Sequence, residues 1–93
     1  MSLKKADIVE AVAKQNGYTL DQSFEVVESL LEMIKSSLES GEDVLISGFG
    51  KFCVKEKKAR RWMNYVKGEY EMLRERRVVT FRCSRQLRDK ING

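Results

Sequence analysis

The chain has 93 residues, a formal net charge of +4 and a mean hydropathy of −0.46. This length predicts one small domain with a thin core, and no stretch reaches the roughly 20 apolar residues of a membrane-spanning helix. There is no histidine, and the two cysteines, Cys53 and Cys83, make neither a disulfide framework nor a metal-ligand cluster. We expect both thiols to be reduced and packed, and we expect no bound metal or cofactor.

The two halves of the chain differ in charge. Residues 1–50 contain four Lys or Arg and nine acidic residues, a net charge of −5, whereas residues 51–93 contain fourteen and five, a net charge of +9. Such a split predicts a polyanionic partner for the second half. Nucleic acid and an anionic membrane surface would both fit, and a merely solvated basic face is the structural alternative.

The first forty residues predict two helices joined by a tight turn. Residues 3–15 carry apolar residues at helical spacing, with Ser2 as a possible N-cap and Gly17 as a left-handed stop. The second helix begins at a capping box formed by Thr19 and Gln22, and Gly41 ends it. Its apolar stripe consists of Leu20, Phe24, Val27, Leu31, Ile34 and Leu38.

The pattern then changes to one typical of strands. Residues 44–46 favour a short strand, residues 47–50 (SGFG) a turn, and residues 51–55 alternate in polarity. In that alternation Phe52 and Val54 share one face, and the other face has Lys51, Cys53 and Lys55. A third strand is predicted at residues 77–82, followed by a short basic helix capped by Ser84.

Residues 56–76 are too polar to belong to the core, and they include the unusual stretch RRWMNYVKGEY. Twenty structureless residues would be exceptional in so small a domain. We therefore predict an extended two-stranded ribbon with its turn near residues 66–68. An isolated ribbon is only marginally stable in water, so we expect this one to become ordered when it packs against a partner.

This order of elements resembles the HU and integration host factor family along essentially the whole chain. The resemblance is carried by residues 48–52 (GFGKF), by the spacing from Phe52 to Phe81, and by residues 76–81 (RRVVTF), which resemble the alpha-subunit branch in particular. The family implies an α+β fold and an intertwined dimer whose two β-ribbon arms embrace DNA through the minor groove. The expected boundaries are a helical body at 1–41, sheet and arm at 43–82 with the arm at about 55–76, and a C-terminal helix at 84–92.

The resemblance also implies roles for individual residues. Backbone amides at Ser47 and Gly48 would meet phosphate, and Asn64 would meet base edges at the arm tip. The remaining DNA-contacting candidates are Lys4, Lys5, Lys55, Lys57, Lys58, Arg60, Arg61, Met63, Tyr65, Lys67, Arg74, Arg76, Arg77, Arg82 and Arg85. The expected dimer core consists of Phe49, Phe52, Phe81, Leu31, Ile34 and Leu38.

The arm tip departs from the family pattern. The family's Arg-x-Gly-Arg-Asn-Pro-x-Thr-Gly is matched here by RRWMNYVKG at residues 60–68, which lacks the proline that wedges between base pairs. Three interpretations stay open. Tyr65 or Met63 replaces the wedge; Trp62 and Tyr65 pair across the ribbon and stiffen it without kinking DNA; or the exposed aromatics contact another protein or a membrane.

From these observations we expect an architectural, nucleoid-associated protein of the bacterial cytoplasm that binds double-stranded DNA as a homodimer. The alternative is a divergent subunit that pairs with another HU-like chain, or one that binds DNA without kinking it. Catalysis is disfavoured because no paired carboxylates stand out and neither cysteine has an obvious base. A membrane role is disfavoured because neither long helix has a basic face opposite its apolar stripe.

Overall fold

The computed structural model describes all 93 residues, which form three helices and five strands. The helices are α1 (Lys5–Asn16), α2 (Leu20–Glu39) and α3 (Arg85–Asn92). The strands are β1 (Val44–Ile46), β2 (Gly50–Lys57), β3 (Arg60–Asn64), β4 (Glu69–Leu73) and β5 (Arg76–Cys83). The predicted α+β class and order of elements are confirmed. None of the helices has the length and apolar character that a membrane crossing requires.

Residues Met1–Ser37 form one compact unit, made of α1 and most of α2. The predicted cap at Ser2 is wrong: α1 begins at Lys5, and the Asp7 carboxylate accepts the backbone N–H of Lys4 at 2.9 Å. The other predicted signals are confirmed. Gly17 ends α1 with a φ of +68°, and Thr19 and Gln22 form a reciprocal capping box, with both bonds at 3.1 Å.

The buried part of this first unit is small. Val9 and Val27 are buried, together with Ser23, whereas Leu20 and Phe24 of the predicted stripe stay 61% and 48% exposed. Lys5 is held beside the stripe, since its ammonium pairs with Glu28 and lies 5.4 Å from the centre of the Phe24 ring. A second apolar row on α2, which the sequence reading missed, is exposed as well and consists of Val26, Leu30 and Met33.

Residues Leu38–Gly93 form the second unit, built on a three-stranded antiparallel sheet in the order β1-β2-β5. Phe52 lies directly opposite Phe81, and the ring centres are 4.9 Å apart; Phe49 adds a third ring 5.2 Å from Phe81. Gly50 is required beside this cluster, because a Cβ there would come within 2.5 Å of the Phe81 ring and 2.6 Å of the Arg82 carbonyl oxygen.

The two cysteines lie in different surroundings. Cys53 is buried, which confirms that this thiol is packed, and it lies on the same face of β2 as the exposed Lys51 and Lys55. Cys83 ends β5 and is exposed, which corrects the expectation that both thiols are packed. The end of a strand has neighbours on fewer sides than its centre, so Cys83 stays exposed. The apolar character of cysteine predicts burial at either position and does not distinguish them.

Candidate nucleic-acid interface

The predicted ribbon is present as a separate two-stranded sheet made of β3 and β4. Its register places Arg60 opposite Leu73 and Asn64 opposite Glu69. The strands are joined by a turn at residues 65–68, which Gly68 closes by donating its N–H to the Asn64 carbonyl at 2.7 Å. Gly68 has a φ of +70°, a conformation that residues with a Cβ rarely adopt, so a glycine at this position suits the turn.

Strand alternation divides the ribbon into two faces of different charge. The first face holds Arg61, Met63, Tyr70 and Met72, and it has no carboxylate. The Arg61 guanidinium lies 4.6 Å from the centre of the Tyr70 ring, a cation–π contact that keeps the charge at the surface. The second face holds Arg60, Trp62, Asn64, Glu69, Glu71 and Leu73.

One of the three interpretations of the tip, the pairing of Trp62 with Tyr65 across the ribbon, is wrong. The turn occupies residues 65–68, so the residue opposite Trp62 is Glu71, and Tyr70 lies opposite Met63. Aromatic stiffening of the arm by a Trp–Tyr pair therefore does not occur. Tyr65 is instead carried on the turn, where it is 90% exposed.

The outermost apolar side chains of the arm are Tyr65 and Val66, which is 97% exposed. Sequence reasoning singled out Tyr65 and missed Val66. The available signal was a branched apolar residue inside a turn, where polar residues or glycine are usual. Met63, the other predicted wedge, is half-buried on the ribbon face opposite Tyr70, and so is less free to enter a base stack than Tyr65.

The amide of Asn64 is engaged at both ends within the arm. Its Oδ1 accepts the backbone N–H groups of Val66 at 3.0 Å and Lys67 at 3.2 Å, and its Nδ2 donates to the Glu71 carboxylate at 3.0 Å. Asn64 thus organises the turn. Its predicted contact with base edges stays a prediction, and it would require at least one of these bonds to be exchanged.

The base of the arm is strongly cationic. Lys57, Lys58, Arg60 and Arg76 line a hollow of about 360 Å³ together with Ala59, and no carboxylate lines it. None of these four cations makes an ion pair in the structure, which leaves their charges available to an external anion. The same holds for Lys55, Arg74, Arg82 and Arg85.

Other predicted contacts have partners within the chain. Arg77 donates to the Glu39 carbonyl at 2.8 Å and lies 3.4 Å from the Glu56 carboxylate, so it ties β5 to the C-terminal end of α2. Lys5 is paired with Glu28, whereas Lys4 is exposed at the start of α1. Ser47 and Gly48 lie in the turn between β1 and β2, where Gly48 has a φ of +78°.

The residues predicted to form a dimer core are incompletely covered. Phe49 and Phe81 stay 44% and 42% exposed, and Phe52 is half-buried. Leu31, Ile34 and Leu38 on α2 are also half-buried. These large aromatic and aliphatic side chains are only partly covered by the chain itself. Such exposed apolar surface indicates an interface that a partner subunit would cover.

A small α+β fold with a basic two-stranded ribbon and a cation-lined hollow is the arrangement of an architectural nucleic-acid-binding protein. Residues 3–92 match the family described as "Bacterial DNA-binding protein", and the chain belongs to this family. It is 43% identical over 91 residues to the integration host factor subunit alpha of Anaeromyxobacter sp. (strain K), covering 98% of this chain and 80% of that protein.

Two further relatives agree with this assignment. The integration host factor subunit alpha of Buchnera aphidicola is 45% identical over 93 residues, covering 100% of this chain and 91% of that protein. The structure is also similar to that of Anabaena HU, solved as a cocrystal with DNA. That comparison gives a TM-score of 0.82 and 32% identity, and it covers 96% of this chain and 97% of the other.

Proposed function

We propose that this chain is an architectural DNA-binding protein of the bacterial nucleoid, which grips the phosphate backbone and minor groove of duplex DNA with paired basic arms. The observation that carries the proposal is the ribbon together with the unpaired cations at its base. A site of this kind binds polyanions through many phosphate contacts and requires no catalytic group. The cytoplasm is the compartment that such a partner implies.

The arms act as a pair because the chain functions as a dimer. Exposed apolar surface around Phe49 and Phe81 and along α2 supports this, since a partner subunit would remove it from water. Two arms from one dimer would then approach the duplex from two sides. Deformation of the DNA follows if the tip, led by Tyr65, enters a base step.

A second candidate is a subunit that pairs with a different HU-like chain. The observation that favours it is the similarity to two proteins named as subunits of integration host factor. In that case the partner chain could supply the wedge proline that this arm lacks. Co-purification of a second small basic chain from the source cells would support the heterodimer, whereas a stable homodimer that binds DNA by itself would argue against it.

The salt dependence of binding tests the DNA-binding proposal. Fluorescence anisotropy of a labelled duplex, titrated with the protein at several salt concentrations, should show affinity falling on the order of 1,000-fold between about 50 and 200 mM salt. This steep fall follows because each neutralised phosphate releases a counterion. Affinity that changes little with salt, or no binding at low salt, would contradict the proposal.

A matched pair of variants separates free cations from engaged ones. Arg76→Gln removes an unpaired cation of the hollow, whereas Lys35→Gln removes a cation from α2 that is paired with Glu32 at 3.2 Å. The first substitution should weaken binding and lower the salt slope by about 0.9 for each phosphate that the protein no longer neutralises. The second should leave both quantities unchanged.

A further inference from the structure

One carboxylate of the arm is bound by two of the tip groups that the DNA interface is expected to use. Glu71 accepts a hydrogen bond from the Asn64 Nδ2 at 3.0 Å, and its carboxylate lies 3.4 Å from the Lys67 Nζ. Its side chain is 33% exposed and that of Lys67 is 62% exposed, so the ion pair lies at the surface, open to exchange. The tip therefore carries its own anion, which is paired with the cation of the turn.

The position of Glu71 gives this contact a consequence for DNA binding. A phosphate that approached Lys67 would have to replace the Glu71 carboxylate, and it would also meet the negative charge that is displaced. While Lys67 stays paired with Glu71 it neutralises no phosphate, so it releases none of the counterions condensed on the DNA. An arm with this pair should therefore gain less from its outermost cation than one without it.

We propose that Glu71 is an internal competitor of DNA phosphate at the arm tip, and that it sets the affinity and the salt dependence of the arm. This inference rests on the proposed function. Glu71 also orients the Asn64 amide, since its bond to Nδ2 leaves Oδ1 facing the Val66 and Lys67 N–H groups. Glu71 thus orients Asn64 in the free tip and keeps Lys67 paired until a phosphate replaces it.

A neighbouring carboxylate provides a matched control. Glu69 lies on the same strand and the same face as Glu71, but it is exposed and makes no ion pair. Glu69→Gln and Glu71→Gln change the net charge equally. Gln at position 71 retains a side-chain oxygen that can accept the Asn64 bond, so the shape of the tip should be preserved.

The test is a comparison of duplex affinity among the wild-type protein, Glu71→Gln, Glu69→Gln, Lys67→Gln and the Glu71→Gln/Lys67→Gln double variant. Anisotropy titrations should show roughly threefold to tenfold tighter binding for Glu71→Gln, with a salt slope steeper by about 0.9 per arm. Glu69→Gln should tighten binding by less than about twofold, with the slope unchanged. In the Lys67→Gln background, Glu71→Gln should have no larger effect than Glu69→Gln has in the wild type.

Three results would overturn the inference while leaving the proposed function intact. These are equal tightening by Glu71→Gln and Glu69→Gln, an effect of Glu71→Gln that persists in full without Lys67, and weaker binding by Glu71→Gln. Loss of binding by every protein, the wild type included, would instead overturn the proposed function and this inference with it.

Discussion

Asp43 shows how one exposed carboxylate can hold a hairpin together. Its Oδ1 accepts the backbone N–H of Val54 at 2.9 Å, and its Oδ2 lies 3.5 Å from the Lys51 ammonium. The hydrogen bond from Val54, aided by the charge of Lys51, holds the pKa of Asp43 below its ordinary value of 3.8. The residue precedes β1, so these bonds extend the pairing of β1 with β2 by one position.

This lowered pKa predicts how stability depends on pH. A carboxyl group whose pKa is depressed by folding stabilises the protein above its unfolded pKa, and that contribution is lost as the pH falls through the folded pKa. Asp43→Asn should therefore be less stable than the wild type at neutral pH, and the difference should shrink as the pH falls below 3.8. Urea unfolding followed by circular dichroism at a series of pH values measures it.

The control for this prediction is Glu42→Gln, which changes a neighbouring, exposed carboxylate. It should leave the pH dependence of unfolding close to that of the wild type. An Asp43→Asn protein as stable as the wild type at neutral pH would show that the two bonds contribute nothing.

Among the strands, those of the arm pair only with each other. The β3–β4 ladder has five paired positions in a sheet of its own, whereas β2 and β5 pair at eight positions within the three-stranded sheet. A lone two-stranded ribbon is only marginally stable, and local opening is easiest where few buried contacts oppose it.

Hydrogen exchange followed by NMR should therefore separate the two sheets. Amides of β3 and β4 are expected to exchange at least about tenfold faster than those at the centre of β2 and β5. Adding duplex DNA at low salt should slow exchange in the arm, and raising the salt until the complex dissociates should reverse the effect. Equal protection of both sheets in the free protein would show that the arm is not held by its own ladder alone.

The elements also show how much of the fold can be predicted from the sequence. Thr19 and Gln22, Gly17 and Ser84 act locally, so their pattern alone predicted the helix ends correctly. The ribbon was predictable because its polarity excluded it from the core. Its register was not, because the position of the turn sets every cross-strand pair, and Trp62, which one interpretation paired with Tyr65, lies opposite Glu71.

The candidate site was predictable as a set of charges but not residue by residue. The positive charge of the second half was evident from the sequence. Only the structure shows that Arg77 donates a hydrogen bond to the end of α2 and that Lys67 is paired with Glu71. Side-chain partners distant in sequence, such as Arg77 and Glu39, follow from the packing of several elements together. No local pattern encodes them.

The whole molecule exposes large apolar side chains in both of its halves. Leu30 and Met33 on α2 are 52% and 61% exposed, and Phe81 in the sheet is 42% exposed. Exposed apolar surface of this kind on a small chain marks an interaction surface. It would be covered if the working unit is a dimer.

The central claim, that paired arms deform the duplex they bind, is tested most directly by energy transfer between the ends of a labelled duplex of about 35 base pairs. Anisotropy on the same samples reports binding independently. Titration with the wild-type protein at low salt should raise the transfer as binding saturates, and Tyr65→Ala should bind while raising it less. Saturated binding with unchanged transfer would contradict the claim, because the arms would then grip DNA without bending it.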